Sequence, residues 1–466
     1  MAAKGTLYFP PGFLWGCATA AHQVEGHNVN DWWRWEQTPG RIFQDQRSGA
    51  ACDWWAGRYA EDFDRAAEMH NNAQRISIEW SRVEPEPGKW DRDALDRYRE
   101  MIKALHERGM KPMVTLHHFT NPLWVGDHDG WLWDEVPDRF EQFTRKVITA
   151  LGDVCDLWCT LNEPNVYATN GYIFGTWAPG LKSVKKAARA LYNQLRGHTR
   201  AYHAIKELQP QSQVGLAIHL VGNKPLPPKW INQAATRFMS HFFNRSFLDA
   251  FTTGRLRLTG GGRYRFPKAK GALDWIGMQY YQEFRSGFTL RSPGTLFVAQ
   301  SKPTDMPVGP HTWGGLNPTA TFDMLMWLWR ALGKPIYITE SGVPDPDDTI
   351  RPGYLAESLK AAWRATTLSI PLKGFFHWSL VDNFEWAEGY DPRYSFGLYQ
   401  VNFQTQSRTA RPSARFYGEV CAQNGLSAET VERFAPDVLE KVFPGEAGKA
   451  QVTLKARATG TYSRVP

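Results

Sequence analysis

What this sequence lacks narrows it first. Five cysteines, Cys17, Cys52, Cys155, Cys159 and Cys421, form an odd set whose closest pair is C-x-x-x-C, not a common zinc or redox spacing. A disulfide framework is therefore not expected, and reduced thiols in a cytoplasmic protein fit better. No run of about 18 apolar residues exists, so no membrane-spanning helix is expected. The early stretch "TLYFPPGFLWGCATAA" is apolar, but Pro10, Pro11 and Gly12 interrupt it and a single Lys precedes it, unlike a signal peptide. The histidines lack H-E-x-x-H spacing. No Pro/Ser-rich linker divides the 466 residues, which points to one domain.

What is present is ordinary in amount and pointed in kind. The chain is 42% hydrophobic and 22% charged, enough core material to exclude disordered and fibrous classes. Its net charge of +7 comes from scattered basic residues, densest in "RLRLTGGGRYRFPKAK", residues 255–270. That stretch lacks the strand-to-helix setting of a phosphate loop and reads as a solvated loop, so no nucleic-acid partner is expected. Aromatic residues are plentiful, with 21 Trp, 17 Tyr and 26 Phe. Most should lie in the core, yet Trp and Tyr also pair an apolar face with a polar handle, which suits sugars.

Apolar runs of strand length recur between segments of helical periodicity. In order they are 13–20, 74–80, 110–118, 156–163, 213–220, 274–281, 334–340 and 374–380. The segment 91–109, "DRDALDRYREMIKALHERG", places apolar residues three and four apart and stops at Gly109 before Pro112. Eight strands alternating with helices predict a parallel sheet closed as a (β/α)8 TIM barrel, an α/β fold. The barrel, with a further helix or two after residue 425, is expected to span 1–445, and a polar basic tail follows over 446–466.

In such a barrel the active site lies at the C-terminal ends of the strands, and polar residues gather there. Arg75 lies near strand two, His117 and His118 end strand three, and Asn162 and Glu163 end strand four. Tyr280 and Tyr281 end strand six, Glu340 ends strand seven, and Trp378 lies near the end of strand eight. A carboxylate closing an apolar strand is costly to bury unpaired. Two of them on facing strands are the device for glycosidic cleavage: one protonates the leaving oxygen and the other meets the developing oxocarbenium ion. Arg75 is placed to keep one carboxylate ionised, and that charge, with partial burial, should raise the pKa of the other.

From about residue 6 to residue 425 the chain resembles the β-glycosidases of glycoside hydrolase family 1. The ordered motifs "FLWGCATAAHQVEG", "RISIEWSR", "LHHFTNPLW", "GWLW", "TLNEPN", "YITESG" and "WSLVDNFEWAEGY" carry the resemblance. "NDWWRWE" with "SIEWSR" is similar to the archaeal-type branch. The resemblance implies a retaining, exo-acting enzyme that needs no metal or cofactor and takes small-molecule β-glycosides. Terminal β-D-glucosyl residues are the implied substrates, with β-D-galactosyl and β-D-fucosyl beside them. By the same motifs it implies Glu163 as acid/base, Glu340 as nucleophile, and Arg75 and Tyr281 as residues that position the nucleophile. Gln23, His118, Asn162, Glu385 and Trp386 would bond the sugar hydroxyls, and Trp378 would be the stacking platform. An enzyme acting mainly in transglycosylation, and a sugar-binding barrel without turnover, are the alternative readings.

Some positions depart from the family pattern. Ser341 stands where the family has Asn, Phe119 replaces a Trp, and Gln279 replaces an Asn before the paired tyrosines. The loop "GTWAPG", 175–180, is unusual, so Trp177 either shapes the aglycone side or simply packs. His117 and the pair Trp327 and Trp329 read as structural. The family's phospho-sugar enzymes carry a Ser/Lys/Tyr phosphate site near Glu385, and "FEWAEGYDPRYSFG" does not match it.

Overall fold

A computed structural model describes residues 5–258, 260–291, 297–310 and 313–445. The expected 446–466 tail lies outside these residues. Eight parallel strands close on themselves in sequence order: β1 Leu14–Ala18, β2 Ala73–Ser77, β3 Lys111–His117, β4 Leu157–Asn162, β5 Gln213–Pro225, β6 Trp275–Phe288, β7 Ile336–Ser341 and β8 Leu372–Trp378. Closure runs through β8 against β1, with Gly374 opposite Leu14, and the sheet is a TIM barrel.

Helices follow the strands on the outside: α1 Tyr59–Glu68, α2 Arg92–Glu107, α3 Val136–Leu151, α4 Val184–Leu208, α5 Lys229–Met239, α6 Thr321–Leu332, α7 Arg351–Thr367 and α8 Pro412–Gln423. Their ends follow from local chemistry. The Asp91 carboxylate accepts the Ala94 N–H at 2.9 Å, satisfying one orphan donor of α2. Past its other end Gly109 sits at φ +70, where a side chain would be strained. Pro137, Pro352 and Pro412 lie in the first turns of α3, α7 and α8, where no N–H is needed. Among the described residues no helix is long and apolar enough to cross a membrane.

Strands β2 to β4 are almost wholly buried, as a parallel sheet covered on both faces requires. Beyond residue 425 a short strand, Gly425–Ser427, pairs with Thr6–Tyr8 and leads into the expected helix, Ala428–Phe434. Trp327 and Trp329 sit in α6 and pack on the core, as expected.

Three expectations need correction. The run 74–80 leaves the strand at Ser77, and Trp80 opens a short helix instead. Tyr280 and Tyr281 do not end strand six, because β6 continues to Phe288 while β5 continues beside it to Pro225. Both strands thus rise above the barrel rim, where an antiparallel strand, Val298–Ser301, adds to β6. The basic stretch 255–270 is no plain loop: Arg255–Leu258 pairs antiparallel with Gly262–Arg265. Leu256 and Leu258 are buried and Arg255 and Arg257 exposed, an alternation of period two that charge alone concealed.

Candidate active site

The barrel brings Glu340 and Glu163 to the same cavity, of about 570 Å³, at the C-terminal rim. Glu340, next to last in β7, is buried, but neither of its oxygens is alone. The Arg75 guanidinium, fully buried on β2, hydrogen-bonds Oε1, and the Tyr281 hydroxyl donates to Oε2 at 2.7 Å. Burial nevertheless raises the Glu340 carboxyl to about 7; Arg75 pulls it down, the Glu163 charge pushes it up and Tyr281 pulls it down. The expectation that Arg75 keeps this carboxyl ionised meets an opposing effect. Desolvation by burial outweighs the pull of Arg75.

Glu163 follows β4 and stands just before the short helix Pro164–Thr169. Its backbone is left-handed, φ +42, which costs a non-glycine residue about 1–3 kcal/mol and is held by the Glu163 N–H to Ala217 O bond at 2.9 Å. The carboxylate Oε1 meets Nδ1 of His219 at 2.8 Å. The His219 ring in turn lies parallel to that of Tyr281, centroids 5.6 Å apart and 17° between planes. Two stacked rings therefore join the partner of one carboxylate to the partner of the other.

Asn162 organises the floor. Its Oδ1 accepts from Arg75 Nη2 at 2.7 Å and from Gln279 Nε2 at 2.8 Å, so its Nδ2 faces His118 Nε2 at 3.0 Å. With Nε2 accepting, the His118 proton sits on Nδ1, and that atom has no protein partner. Burial, then the charge of Arg75, holds His118 well below its usual pKa, so the ring is neutral. Oε1 of Gln279 is likewise buried without a protein partner.

The remaining candidates form one wall. Gln23 donates from Nε2 to Asn383 Oδ1 at 2.9 Å and to Phe384 O at 2.8 Å, and reaches Glu385 Oε2 at 3.3 Å. Burial, then the charges of Glu388 and Glu340, raises Glu385 well above the usual carboxylate range. Trp378 ends β8, and Trp386 stacks on His22 and His118 at 15°. Glu163, Glu340, Tyr281, His118, Asn162, Trp378, Glu385 and Trp386 line the cavity, whereas Arg75 and Gln23 stand behind its wall.

The open choice for Trp177 resolves as both: it lines the cavity and packs edge-on against Trp32 and Phe119. His117 points away from the cavity into hydrogen bonds with Asn121 and Trp131, a structural role as expected. His219 and Glu388 were missed. A lone His within the run "QVGLAIHL" looks like core, and only its register opposite Gln279 on β6 hints that it faces the site. Among the described residues no group of three or more His, Cys, Asp or Glu side chains is arranged to hold a metal ion.

Against known proteins, the sequence model of the family described as glycosyl hydrolase family 1 matches residues 6–426. The chain is 32% identical to β-glucosidase A of Thermotoga maritima, over 90% of this chain and 98% of that one. It is 30% identical to a β-galactosidase of Pyrococcus woesei, over 91% of this chain and 99% of the other. In structure it superposes on a β-glycosidase from Pyrococcus horikoshii with a TM-score of 0.86 and 35% identity, covering 92% of this chain and 98% of that one.

Proposed function

The chain belongs to glycosyl hydrolase family 1 and is a glycoside hydrolase, and from that premise we propose a retaining, exo-acting β-glycosidase in which Glu340 is the nucleophile and Glu163 the acid/base. In the first step a Glu340 oxygen bonds to the anomeric carbon as the bond to the aglycone oxygen breaks, and Glu163 gives that oxygen its proton. In the second step Glu163 takes a proton from water, the water oxygen bonds to the anomeric carbon, and Glu340 departs as a carboxylate. Arg75 and Tyr281 supply the donors that hold the nucleophile and receive it back. His219 occupies one oxygen of Glu163 and leaves the other for the scissile bond.

The observation that carries the reading is the pair of buried carboxylates, one just past β4 and one on β7, each with its own hydrogen-bond partner and joined through the His219–Tyr281 stack. The glycone contacts follow from the same wall. His118 Nδ1 offers a donor and Trp378 an apolar face at the cavity wall, and behind it the Oε1 atoms of Gln279 and Gln23 are buried without a protein partner. Glu385 accepts from hydroxyls at the far end of the sugar and turns to meet an equatorial or an axial one, so glucosides, galactosides and, more weakly, fucosides are the substrates. A 6-phosphate would face the acids Glu385 and Glu388, and is rejected. We place the catalytic unit in residues 1–445, with the 446–466 tail outside the chemistry.

The test is Glu163→Ala. Activity on β-glucosides with poor leaving groups falls by roughly 10²–10⁴-fold, while activated aryl glucosides lose less and recover with added azide. Equal losses on both substrate types, with no azide rescue, would refute the assignment.

A further inference from the structure

The basic stretch 255–270 takes no part in the chemistry of the cavity, yet it is built to a pattern. Its two short strands pair so that Arg255 stands opposite Arg265 and Arg257 opposite Arg263. All four arginines are exposed, whereas Leu256 and Leu258 are buried. Tyr264, opposite Leu256, stacks on Tyr192 of α4 with ring centroids 4.4 Å apart. Gly261 brings the turn so close to α4 that a Cβ there would lie 2.5 Å from that of Ala188. The hairpin is therefore pinned by its inner face and presents the four arginines outward.

Like charges directly opposite one another in an antiparallel pair destabilise it, and here they are opposed twice. Among the described residues none of the four arginines is in an ion pair, and the flanking acids are taken, Asp249 by Arg245 at 2.9 Å and Asp274 by Lys206 at 3.0 Å. No acidic residue occurs between those two. Lys268 and Lys270 extend the exposed cations beyond the hairpin. Beside the turn, Lys185 and Lys186 at the start of α4 are exposed as well, in a run from Pro164 to Lys206 that contains no acid. The protein spends stability on holding these charges together, and only a negatively charged partner would return it.

The face offers that partner charge and little else. No large apolar side chain is exposed over 181–200 or among the described residues of 250–273. It thus has neither a wedge to enter a membrane nor a platform on which bases or sugar rings would stack. A second copy of the chain does not fit, because a two-fold contact would set these cations against themselves. A sheet of anionic headgroups needs only cations within reach, and guanidinium groups meet phosphate with paired hydrogen bonds.

We propose that this hairpin, with the adjoining start of α4, is an electrostatic docking face for an anionic lipid bilayer, held at the level of the headgroup phosphates without insertion. The turn meets α4 at Val184, a cavity-lining residue, so docking brings the rim of the cavity close to the bilayer.

The test is cosedimentation of the full chain with vesicles of phosphatidylcholine alone and of phosphatidylcholine mixed with phosphatidylglycerol. Binding is expected to the mixed vesicles only. It should be lost as salt rises from about 0.1 to about 1 M, where the screening length falls from about 10 to about 3 Å. Arg255→Glu/Arg257→Glu weakens binding by on the order of 10²-fold or more, at about fivefold per unit of charge near the surface. The same substitution turns both like-charge pairs into opposite-charge ones, so the melting temperature holds or rises. Hydrolysis of p-nitrophenyl β-D-glucoside stays unchanged, which separates lost docking from misfolding. Binding to neither vesicle, equal binding to both, or binding untouched by the substitution overturns the proposal. Tighter binding to duplex DNA or to polygalacturonate than to the mixed vesicles overturns it too, by giving the face to an anionic polymer. A lower melting temperature would mean that the arginine ladder serves the fold, and would likewise overturn it.

Discussion

At the floor of the cavity, Asn162 alone ties together Arg75 on β2, Gln279 on β6 and His118 just past β3. At the mouth, Phe238 and Phe242 touch one another on one helical segment and offer no directional bond at all. The floor is a polar network in which every member fixes the next, so removing one leaves others buried and unpaired. The mouth is a surface in which each ring contributes separately. The two ends therefore respond to substitution differently: the floor in the chemical step, non-additively, and the mouth in binding, residue by residue.

The largest effect is expected where the floor loses its only fully buried cation. Arg75→Met leaves Glu340 without its ion pair, and breaking a buried pair costs about 3–5 kcal/mol. Steady-state kinetics should show kcat/KM on aryl glucosides lower by on the order of 10³-fold, and thermal melting should show a less stable fold. Unchanged kcat/KM would mean that the floor is not a coupled network.

A smaller loss is expected at His219. His219→Phe keeps a ring against Tyr281 but removes the bond to Glu163, and a bond to a charged group is worth about 1.5–3 kcal/mol. The loss should be greater for alkyl than for activated aryl glucosides, since only the former need full protonation. Equal loss on both would reduce His219 to a packing role.

The pH profile sharpens the comparison further, because only the floor titrates. Burial holds Glu340 at about 7, and the Glu163 charge adds to that rise. Glu340 must be ionised to attack, so kcat/KM should climb as pH rises through about 7 and fall away below it. Glu163→Gln removes the neighbouring charge, so the acidic limb should move to lower pH on activated aryl glucosides. A limb that stays in place contradicts the pairing. At the mouth, Trp177→Ala should raise KM a few-fold with little change in kcat and no movement of either limb, as expected for a residue that binds without reacting.

How much of this was legible in the sequence follows the same division. The strands were readable because eight apolar runs alternate with amphipathic helices, and the rim residues because charge at the end of an apolar strand is conspicuous. Glu163 and Glu340 are of that kind, Asn162 is the polar neighbour of Glu163, and Arg75 is a charge inside an apolar strand. His219 was not, since one histidine in a buried strand carries no signal until the neighbouring strand fixes which side it faces. The rise of β5 and β6 above the rim was hidden for a related reason: Tyr280 and Tyr281 look like a strand end when the continuing pairing with β5 is unknown. The apolar lining at the mouth combines residues 173–174, 238–239, 242–243, 284 and 298, which no local pattern links. Burial of Glu340 likewise depends on the assembled wall, so the direction of its pKa could not be read from Arg75 alone.

The central claim is that Glu340, held by Arg75 and Tyr281, forms the covalent bond to the sugar. Incubation with a 2-deoxy-2-fluoro-β-D-glucoside bearing a good leaving group, followed by proteolysis and mass mapping, tests it directly. The account predicts one fluoroglucosyl label, on the peptide containing "YITESG" and on Glu340 within it. A label on Glu163, on Glu385 or on any other carboxylate would contradict it.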